Sequence, residues 1–150
     1  MVALIEMNPE EFTKWNERVW IAYREELMQA GLSETEADQN VAQNISQTMP
    51  DGIPLSGNYI FNVVSNQDNV GAVWLNDRET NWFIYDIEID QSHRGQGLGR
   101  ETMRAIEAFV KANGGTEISL SVFGFNEIAR KLYETEGYET TRLAMTKKLT

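Results

Sequence analysis

The chain has 150 residues, 41% hydrophobic and 24% charged, which is the composition of an ordinary globular domain. It has no cysteine and a single histidine, which excludes disulfides, thiolate metal sites and multi-histidine centres, so we expect no bound metal. A net charge of −10 argues against binding to nucleic acid or an anionic membrane. We find neither a bilayer-spanning apolar run nor a secretory signal, and therefore expect a cytoplasmic protein.

The charges are unevenly distributed along the chain. Residues 1–90 carry 16 acidic and 4 basic side chains, whereas residues 91–150 carry 7 acidic and 9 basic ones. The two parts therefore suit ligands of opposite sign, and the acidic part favours a cation.

Two amphipathic helices are predicted near the N-terminus. Asn8, Pro9 and Glu11 form a typical helix start, and apolar residues recur after them at spacings of three and four until Gly31. The inward stripe comprises Phe12, Trp15, Val19, Tyr23 and Leu27. A second capping pattern begins at Ser33, and its helix ends near Pro50. We interpret the glutamates of this region, Glu26 among them, as a solvated helix face.

Strands follow, because the apolar period changes from 3.6 to 2. Segments 58–64 and 70–75 predict a hairpin, and 82–90 predicts a third antiparallel strand. Strict alternation places Phe83, Tyr85, Ile87 and Ile89 on one face of that strand. A helix then leads to a parallel strand at 117–123, a last helix at 127–136 and a final strand within 138–149. The predicted fold is one α+β domain whose mixed, mostly antiparallel sheet has helices on both faces.

A glycine-rich turn connects the third strand to its helix. The run Arg94-Gly-Gln-Gly-Leu-Gly99 lets successive amides turn outward, and the helix behind it adds partial positive charge. This combination favours a diphosphate, although a turn that binds no ligand has the same pattern. Position 100 is arginine and no GK[ST] follows, so neither the dinucleotide fingerprint nor the P-loop is matched.

Two blocks of this sequence resemble the GNAT superfamily of N-acetyltransferases. Arg94-x-x-Gly97-x-Gly99 is similar to the acyl-CoA-binding motif of that family, and Asn126-x-x-Ala129-x-x-Leu132-Tyr133-x-x-x-Gly137-Tyr138 to its later segment. The resemblance is specific over residues 57–149 and weak over 1–56. It implies a single domain, 1–150, with an acyl-CoA-binding core at 57–149 and a variable, acceptor-side part at 1–56.

The resemblance implies acetyl-CoA as co-substrate. Its pantetheine would lie along the third strand, and the amides of the glycine-rich turn would hold its pyrophosphate. The residues implied in cofactor binding are Ile87, Ile89, Arg94, Gly95, Gln96, Gly97, Leu98, Gly99, Arg100 and Asn126.

Tyr133 matches the tyrosine that protonates the CoA sulfur in many family members. A phenol suits this role because it stays protonated at neutral pH, although an aromatic residue here could equally belong to the core. Some members carry a glutamate as base where this chain has Ser121. The nearest carboxylates are Asp86 and Glu88, of which we take Glu88 as the candidate catalytic residue. A dedicated base is not obligatory.

The predicted function is acetyl transfer from acetyl-CoA to a primary amine by direct attack in a ternary complex. The acidic part of the chain favours a cationic acceptor, and we expect Tyr59 and Trp82 to border its cleft. The alternatives are a non-catalytic acyl-CoA-binding or sensing module and a protein-interaction domain. Dimers are common in the family, so a homodimer is also considered.

Overall fold

A computed structural model describes residues 1–149, so that Thr150, the last residue of the predicted domain, lies outside them. The elements are β1 (Val2–Glu6), α1 (Pro9–Gln29), α2 (Glu34–Thr48), β2 (Asn58–Ser65), β3 (Asp68–Asn76), β4 (Asn81–Ile89), α3 (Leu98–Ala112), β5 (Glu117–Leu120) and α4 (Glu127–Thr135). A short 3-10 helix, Gln91–His93, precedes α3.

The five strands form one sheet in the order β1-β2-β3-β4-β5. The first three pairings are antiparallel, and only β4 and β5 run parallel, with α3 as the crossover between them. The predicted mixed, mostly antiparallel sheet is confirmed. The hairpin of β2 and β3 turns at Asn66 and Gln67, whose φ angles of 52° and 71° match the twist of the flanking strands.

The two N-terminal helices begin at the predicted caps. Asn8 Oδ1 accepts a hydrogen bond from Glu11 N at 2.8 Å, and Asn8 N donates to Glu11 Oε1 at 2.9 Å. Ser33 and Glu36 form the same reciprocal pair at the start of α2. These bonds satisfy amides that the first helical turn leaves free. No helix within residues 1–149 is long and apolar enough to cross a membrane.

Each face of the sheet carries its own core. The α3 side is built from Phe61, Val63, Val70, Val73, Leu75, Trp82, Ile84, Leu98, Met103, Ile106 and Val110. The α1 side is smaller and consists of Trp15, Val19, Met49, Ala72 and Trp74. Trp15 and Val19 of the predicted α1 stripe belong to this core, Leu27 is also buried, and α2 packs against α1.

The predicted final strand within 138–149 is wrong, because this segment forms no strand in the structure. A strand requires a hydrogen-bonded neighbour, and this segment runs past the turn between α1 and α2, where Lys148 Nζ donates to Gly31 O at 2.6 Å. Its alternating apolar side chains, Leu143 and Met145, therefore stay exposed.

Candidate functional site

A β-bulge interrupts β4 at its centre. Trp74 of β3 lies opposite Asp86, but the next residue, Leu75, lies opposite Ile84, so that Tyr85 is the additional residue. Ile84 and Ile87 consequently both pack on the α3 side, whereas Tyr85 packs on Trp74 with ring centroids 4.5 Å apart. The predicted row of Phe83, Tyr85, Ile87 and Ile89 on one face is wrong, because the bulge breaks the strict alternation: the rings of Phe83 and Tyr85 pack together at 5.0 Å, whereas Ile87 and Ile89 pack on the α3-side core.

The strands β4 and β5 separate at the bulge. Their parallel pairing ends at Ile84 opposite Leu120, and residues 121–123, predicted as strand, have left the ladder. On this side the backbone of Tyr85–Ile89 has no strand partner among residues 1–149. The separation opens a cleft of about 470 Å³, a size typical of small-molecule sites.

Four segments supply most of the cleft lining, to which Leu27, Asn44 of α2 and Trp74 of β3 also contribute. Helix α1 contributes Val19, Trp20, Tyr23 and Glu26; β4 contributes residues 83–87; the strand exit contributes residues 120–123; and the last helix and its cap contribute Asn126, Ala129 and Tyr133. The sheet is open at this point, so side chains from both of its sides meet in one cleft.

Tyr133 is half-buried, lines the cleft and makes no hydrogen bond to another described residue through its hydroxyl. Burial, followed by the charges of Asp86 and Glu26, raises the pKa of Tyr133 to about 12. The phenol therefore stays protonated at neutral pH. Its ring packs against that of Tyr138, with 5.9 Å between centroids, and this contact restricts the orientation of the phenol.

Asp86 is the carboxylate that β4 directs into the cleft. Its Oδ2 atom is buried and has no hydrogen-bond partner within residues 1–149. Burial, then the charges of Glu88 and Glu26, raise the pKa of Asp86 to about 7, while Arg18 and the Trp15 indole oppose the rise. The carboxyl group therefore titrates near neutral pH.

Glu88, the predicted catalytic carboxylate, is not among the cleft-lining residues. Its Oε2 lies 3.7 Å from Arg18 Nε, and its side chain is 37% exposed. Glu88 and Asp86 both lie on the α1 side, because they pair with Ala72 and Trp74 of β3. Only Asp86 reaches the opening.

Two α1 residues of the cleft were not predicted as site residues from the sequence. Trp20 and Glu26 both line the cleft, and burial, followed by the charge of Glu88, raises the pKa of Glu26. The interpretation of Glu26 as solvated is therefore wrong. The available signal was helical spacing, because Glu26 follows Tyr23 by three residues and so shares its face. Tyr59 and Trp82 do not border the cleft but stack at 5.5 Å in the α3-side core.

The glycine-rich turn leads into α3 with Gly95 and Gly97 in the left-handed region, at φ 79° and 77°. Within the described chain, His93 N and Arg94 N donate to backbone oxygens, but no hydrogen bond is donated by the amides of residues 95–100. The next donor is Glu101 N, to Gly97 O. Six consecutive amides are thus free at the positive end of α3.

The side chains of this turn have different surroundings. Arg94 Nε donates to Ile89 O at 2.9 Å, which fixes the turn to the end of β4. Arg100 Nε lies 3.3 Å from Glu136 Oε2, and Arg104 pairs with the same carboxylate. Leu98 is buried in the core, whereas Gln96 is exposed. The free backbone amides, more than the side chains, therefore form the anion-attracting surface.

Asn126 lies at the start of α4 and lines the cleft. Its Oδ1 accepts a hydrogen bond from Ala129 N at 3.2 Å and so caps the helix that carries Tyr133. Asn126 therefore both lines the cleft and stabilises the start of the helix that carries Tyr133.

Known proteins resemble this chain in both sequence and fold. The Acetyltransferase (GNAT) family profile matches residues 20–138. The uncharacterized N-acetyltransferase YycN of Bacillus subtilis (strain 168) is 29% identical over 154 residues, with 99% of each chain covered. The crystal structure of YycN superimposes with a TM-score of 0.92 at 28% identity, covering 100% of this chain and 99% of that one.

A more distant structure has the same fold. AAC(6')-Iy in complex with the bisubstrate analog CoA-S-monomethyl-acetylneamine gives a TM-score of 0.61 at 16% identity, covering 100% of this chain and 99% of that one. The family match begins within α1, extends past α4 to Tyr138, and includes both the glycine-rich turn and Tyr133. The chain therefore belongs to the acetyltransferase (GNAT) family.

Proposed function

We propose that this protein is an acetyl-CoA-dependent N-acetyltransferase that acetylates a primary amine by direct attack in a ternary complex. The observation that carries the proposal is the opening between β4 and β5, which connects an unpaired strand edge, a phenol and a carboxylate in one cleft. Within residues 1–149 the six free amides of the glycine-rich turn begin a few residues beyond that edge.

The residues present fit acetyl-CoA. No strand pairs with the backbone of Ile87 and Ile89 toward the opening, and although the Ile89 carbonyl accepts from Arg94 Nε, the remaining backbone groups suit the amides of a pantetheine arm. The amides of residues 95–100, with the dipole of α3 behind them, suit a pyrophosphate. Acetyl-CoA would supply an activated acetyl thioester. Arg94, Arg100 and Asn126 remain in the proposed cofactor site as residues that hold its walls in position.

Tyr133 is the proposed general acid. The hydroxyl stays protonated because burial and two nearby carboxylates disfavour the phenolate. It lines the cleft at the end where β4 and β5 separate, so it can donate its proton to a leaving thiolate. The chain has no cysteine, so a covalent acetyl–cysteine route is excluded, and we propose direct attack by the acceptor.

The proposed acceptor is a cationic amine. Glu26 and Asp86 both line the cleft, together with aromatic rings from α1 and β4. Carboxylates and aromatic faces together attract an ammonium group. The acceptor side would be formed largely by residues 1–56, because α1 contributes one wall of the cleft. AAC(6')-Iy, whose bound analog joins CoA to acetylneamine, supports the choice of an amine.

Thiol release provides a direct test. Because the chain has no cysteine, CoA-SH formed during turnover reacts with a thiol reagent without background from the protein. The assay would combine acetyl-CoA with spermidine, sisomicin and a lysine peptide as separate acceptors. We expect amine-dependent thiol release with at least one of them.

The alternative of a non-catalytic acyl-CoA-binding module predicts a different result. Acetyl-CoA would raise the melting temperature, but no acceptor would release thiol. If acetyl-CoA neither stabilised the protein nor reacted, both the enzyme and the binding module would be excluded, leaving a protein-interaction domain.

A further inference from the structure

We propose that Asp86 is a second catalytic residue, the general base that takes the proton of the acceptor's ammonium group, and that Glu26 holds this ammonium beside it. The inference rests on the proposed function, since it assigns the proton acceptor of that reaction. It replaces Glu88, which the sequence favoured, with the neighbouring carboxylate on the same strand.

The bulge in β4 gives Asp86 its position. The extra residue, Tyr85, shifts the register by one residue so that Asp86 lies opposite Trp74, on the side of α1, at the level where β5 leaves the sheet. A side chain at this level is next to the opening rather than under a paired strand. Asp86 lines the cleft, and its buried Oδ2, which lies beside the Trp15 indole, makes no hydrogen bond within residues 1–149, so the carboxyl group keeps unused acceptor capacity.

The charged side chains that line the cleft within the described residues are acidic. Glu26 from α1 and Asp86 from β4 both line it, and no lysine or arginine is among the lining residues described for the chain. Arg18 is near, but its guanidinium lies against Glu88 at 3.7 Å. An ammonium group would therefore provide the positive charge that the two carboxylates lack, whereas an alcohol would leave both uncompensated.

The environment of Asp86 suits a base that works near neutral pH. The titratable and charged groups that face it are Glu88 on its own strand, Glu26 and Arg18 on α1, and Tyr133 on α4. The like charges outweigh Arg18, so the carboxylate binds a proton more strongly than an exposed aspartate does. A general base is most effective when its affinity for protons matches the working pH.

The aromatic wall supports the same occupant. Trp20 and Tyr23 of α1 and Tyr85 of the bulge line the cleft beside the two carboxylates. Ring faces attract a cation that has lost part of its water, so they reduce the cost of bringing the ammonium into the cleft. The same surroundings favour its deprotonated form once Asp86 has taken the proton.

The reaction balances with these two residues. The ammonium gives one proton to the Asp86 carboxylate, and the neutral nitrogen forms a bond to the acetyl carbon while the carbon–sulfur bond breaks. The sulfur takes the proton of the Tyr133 hydroxyl, and the nitrogen's second proton restores the phenol. Asp86 then releases its proton to solvent, so one amide, one CoA-SH and one proton are formed.

The test compares Asp86→Asn with Asp51→Asn, an exposed control outside the cleft, and with Glu88→Gln, using whichever of spermidine, sisomicin and the lysine peptide gives the fastest thiol release. We expect Asp86→Asn to lower kcat by about 100-fold or more, the order of effect of losing a general base. Acetyl-CoA binding should stay within about two-fold, which also shows that the variant is folded. Asp51→Asn should keep kcat within about three-fold, whereas Glu88→Gln should shift the pH profile to lower pH, because it removes a charge that raises the pKa of Asp86.

Two further readouts separate chemistry from binding. In the wild type, kcat/KM should rise with pH around neutrality as Asp86 deprotonates, and Asp86→Asn should lose this limb. Glu26→Gln should raise KM for the amine by about ten-fold and change kcat less, because it removes attraction rather than the proton acceptor.

The outcomes distinguish this inference from the proposed function. Wild-type turnover with an unimpaired Asp86→Asn variant would overturn the role of Asp86 and leave the acetyltransferase proposal standing. A large loss in Glu88→Gln alone would return the role to Glu88. If the wild type bound acetyl-CoA but released no thiol with any of the three amines, both proposals would be overturned.

Discussion

Asp86 lies directly opposite Trp74 in the antiparallel ladder, one residue out of step with the neighbouring pair of Ile84 and Leu75. Because of this one-residue shift, Ile84 and Ile87 both face the α3 side of the sheet, whereas Asp86 faces the α1 side. The shift also lies where β4 loses β5 as a partner, so that the irregularity of one strand and the end of its neighbour together form the cleft.

The raised pKa of Asp86 predicts a pH-dependent stability. The folded state binds the proton more tightly than the unfolded chain, with a pKa of about 7 against an ordinary 3.8. The stabilisation that the protonated Asp86 contributes to the folded state is therefore complete below pH 3.8, and it is lost as the pH rises toward and through 7. The loss amounts to at most about 4 kcal/mol, at about 1.4 kcal/mol for each pKa unit.

Asp86→Asn should remove that loss. We expect its melting temperature to exceed that of the wild type at pH 8 and to match it at pH 4, measured by thermal denaturation at both pH values. Asp51→Asn, in an exposed turn, is the control and should follow the wild type. An equal effect of Asp86→Asn at the two pH values would contradict a buried carboxylate that titrates near neutral pH.

Tyr133→Phe should lower kcat about ten-fold or more and leave acetyl-CoA affinity nearly unchanged, because it removes the proton donor and keeps the ring. Tyr138→Phe is the matched control, since its ring packs against Tyr133 but its hydroxyl is buried, without a partner in the described chain, and outside the cleft. Steady-state thiol release and acetyl-CoA titration measure the two quantities. Equal kcat values for the two variants would remove Tyr133 from the chemistry.

Much of the fold was predictable because its signals are local. The reciprocal caps at Asn8 and Ser33 and the change of period at β2 each depend on a few consecutive residues. The glycine-rich turn was predictable for the same reason, since Gly95 and Gly97 adopt the left-handed backbone that favours glycine.

The chemistry of the cleft was less predictable because it depends on where strands stop pairing. The bulge at Tyr85 has no local signature, and without it strict alternation gives the wrong neighbours for Asp86. The burial of Glu26 follows from the packing of α1 over the opening, so its sequence neighbours suggested a solvated residue. The prediction of a final strand was wrong for a related reason, since a segment with a strand pattern becomes a strand only where it can pair with the edge of a sheet.

The free amides of the glycine-rich turn predict a selective effect of Gly97→Val on acetyl-CoA binding. The position has φ 77°, so a β-branched side chain strains the backbone and projects beside the amides. Gly114→Val is a matched control, because its φ is 86°, it lies at the other end of α3, and a side chain at either glycine has open space around it.

Both variants should lose similar stability, of about 1–2 kcal/mol from the left-handed backbone. Only Gly97→Val should weaken acetyl-CoA binding, by about ten-fold or more, as measured by isothermal titration. If the two variants bound acetyl-CoA with the same affinity, the turn would not be the anion site.

The cap of α4 allows stability and function to be separated at Asn126. Asn126→Ala removes the acceptor for Ala129 N and should cost about 1 kcal/mol, the usual loss for a helix N-cap. Ser33→Ala removes the equivalent cap of α2, away from the cleft, and should cost a similar amount. Because α4 carries Tyr133 and Asn126 itself lines the cleft, only Asn126→Ala should also lower acetyl-CoA affinity and kcat. Thermal denaturation, acetyl-CoA titration and thiol release measure the three effects, and equal enzymatic behaviour of the two variants would reduce Asn126 to a helix cap.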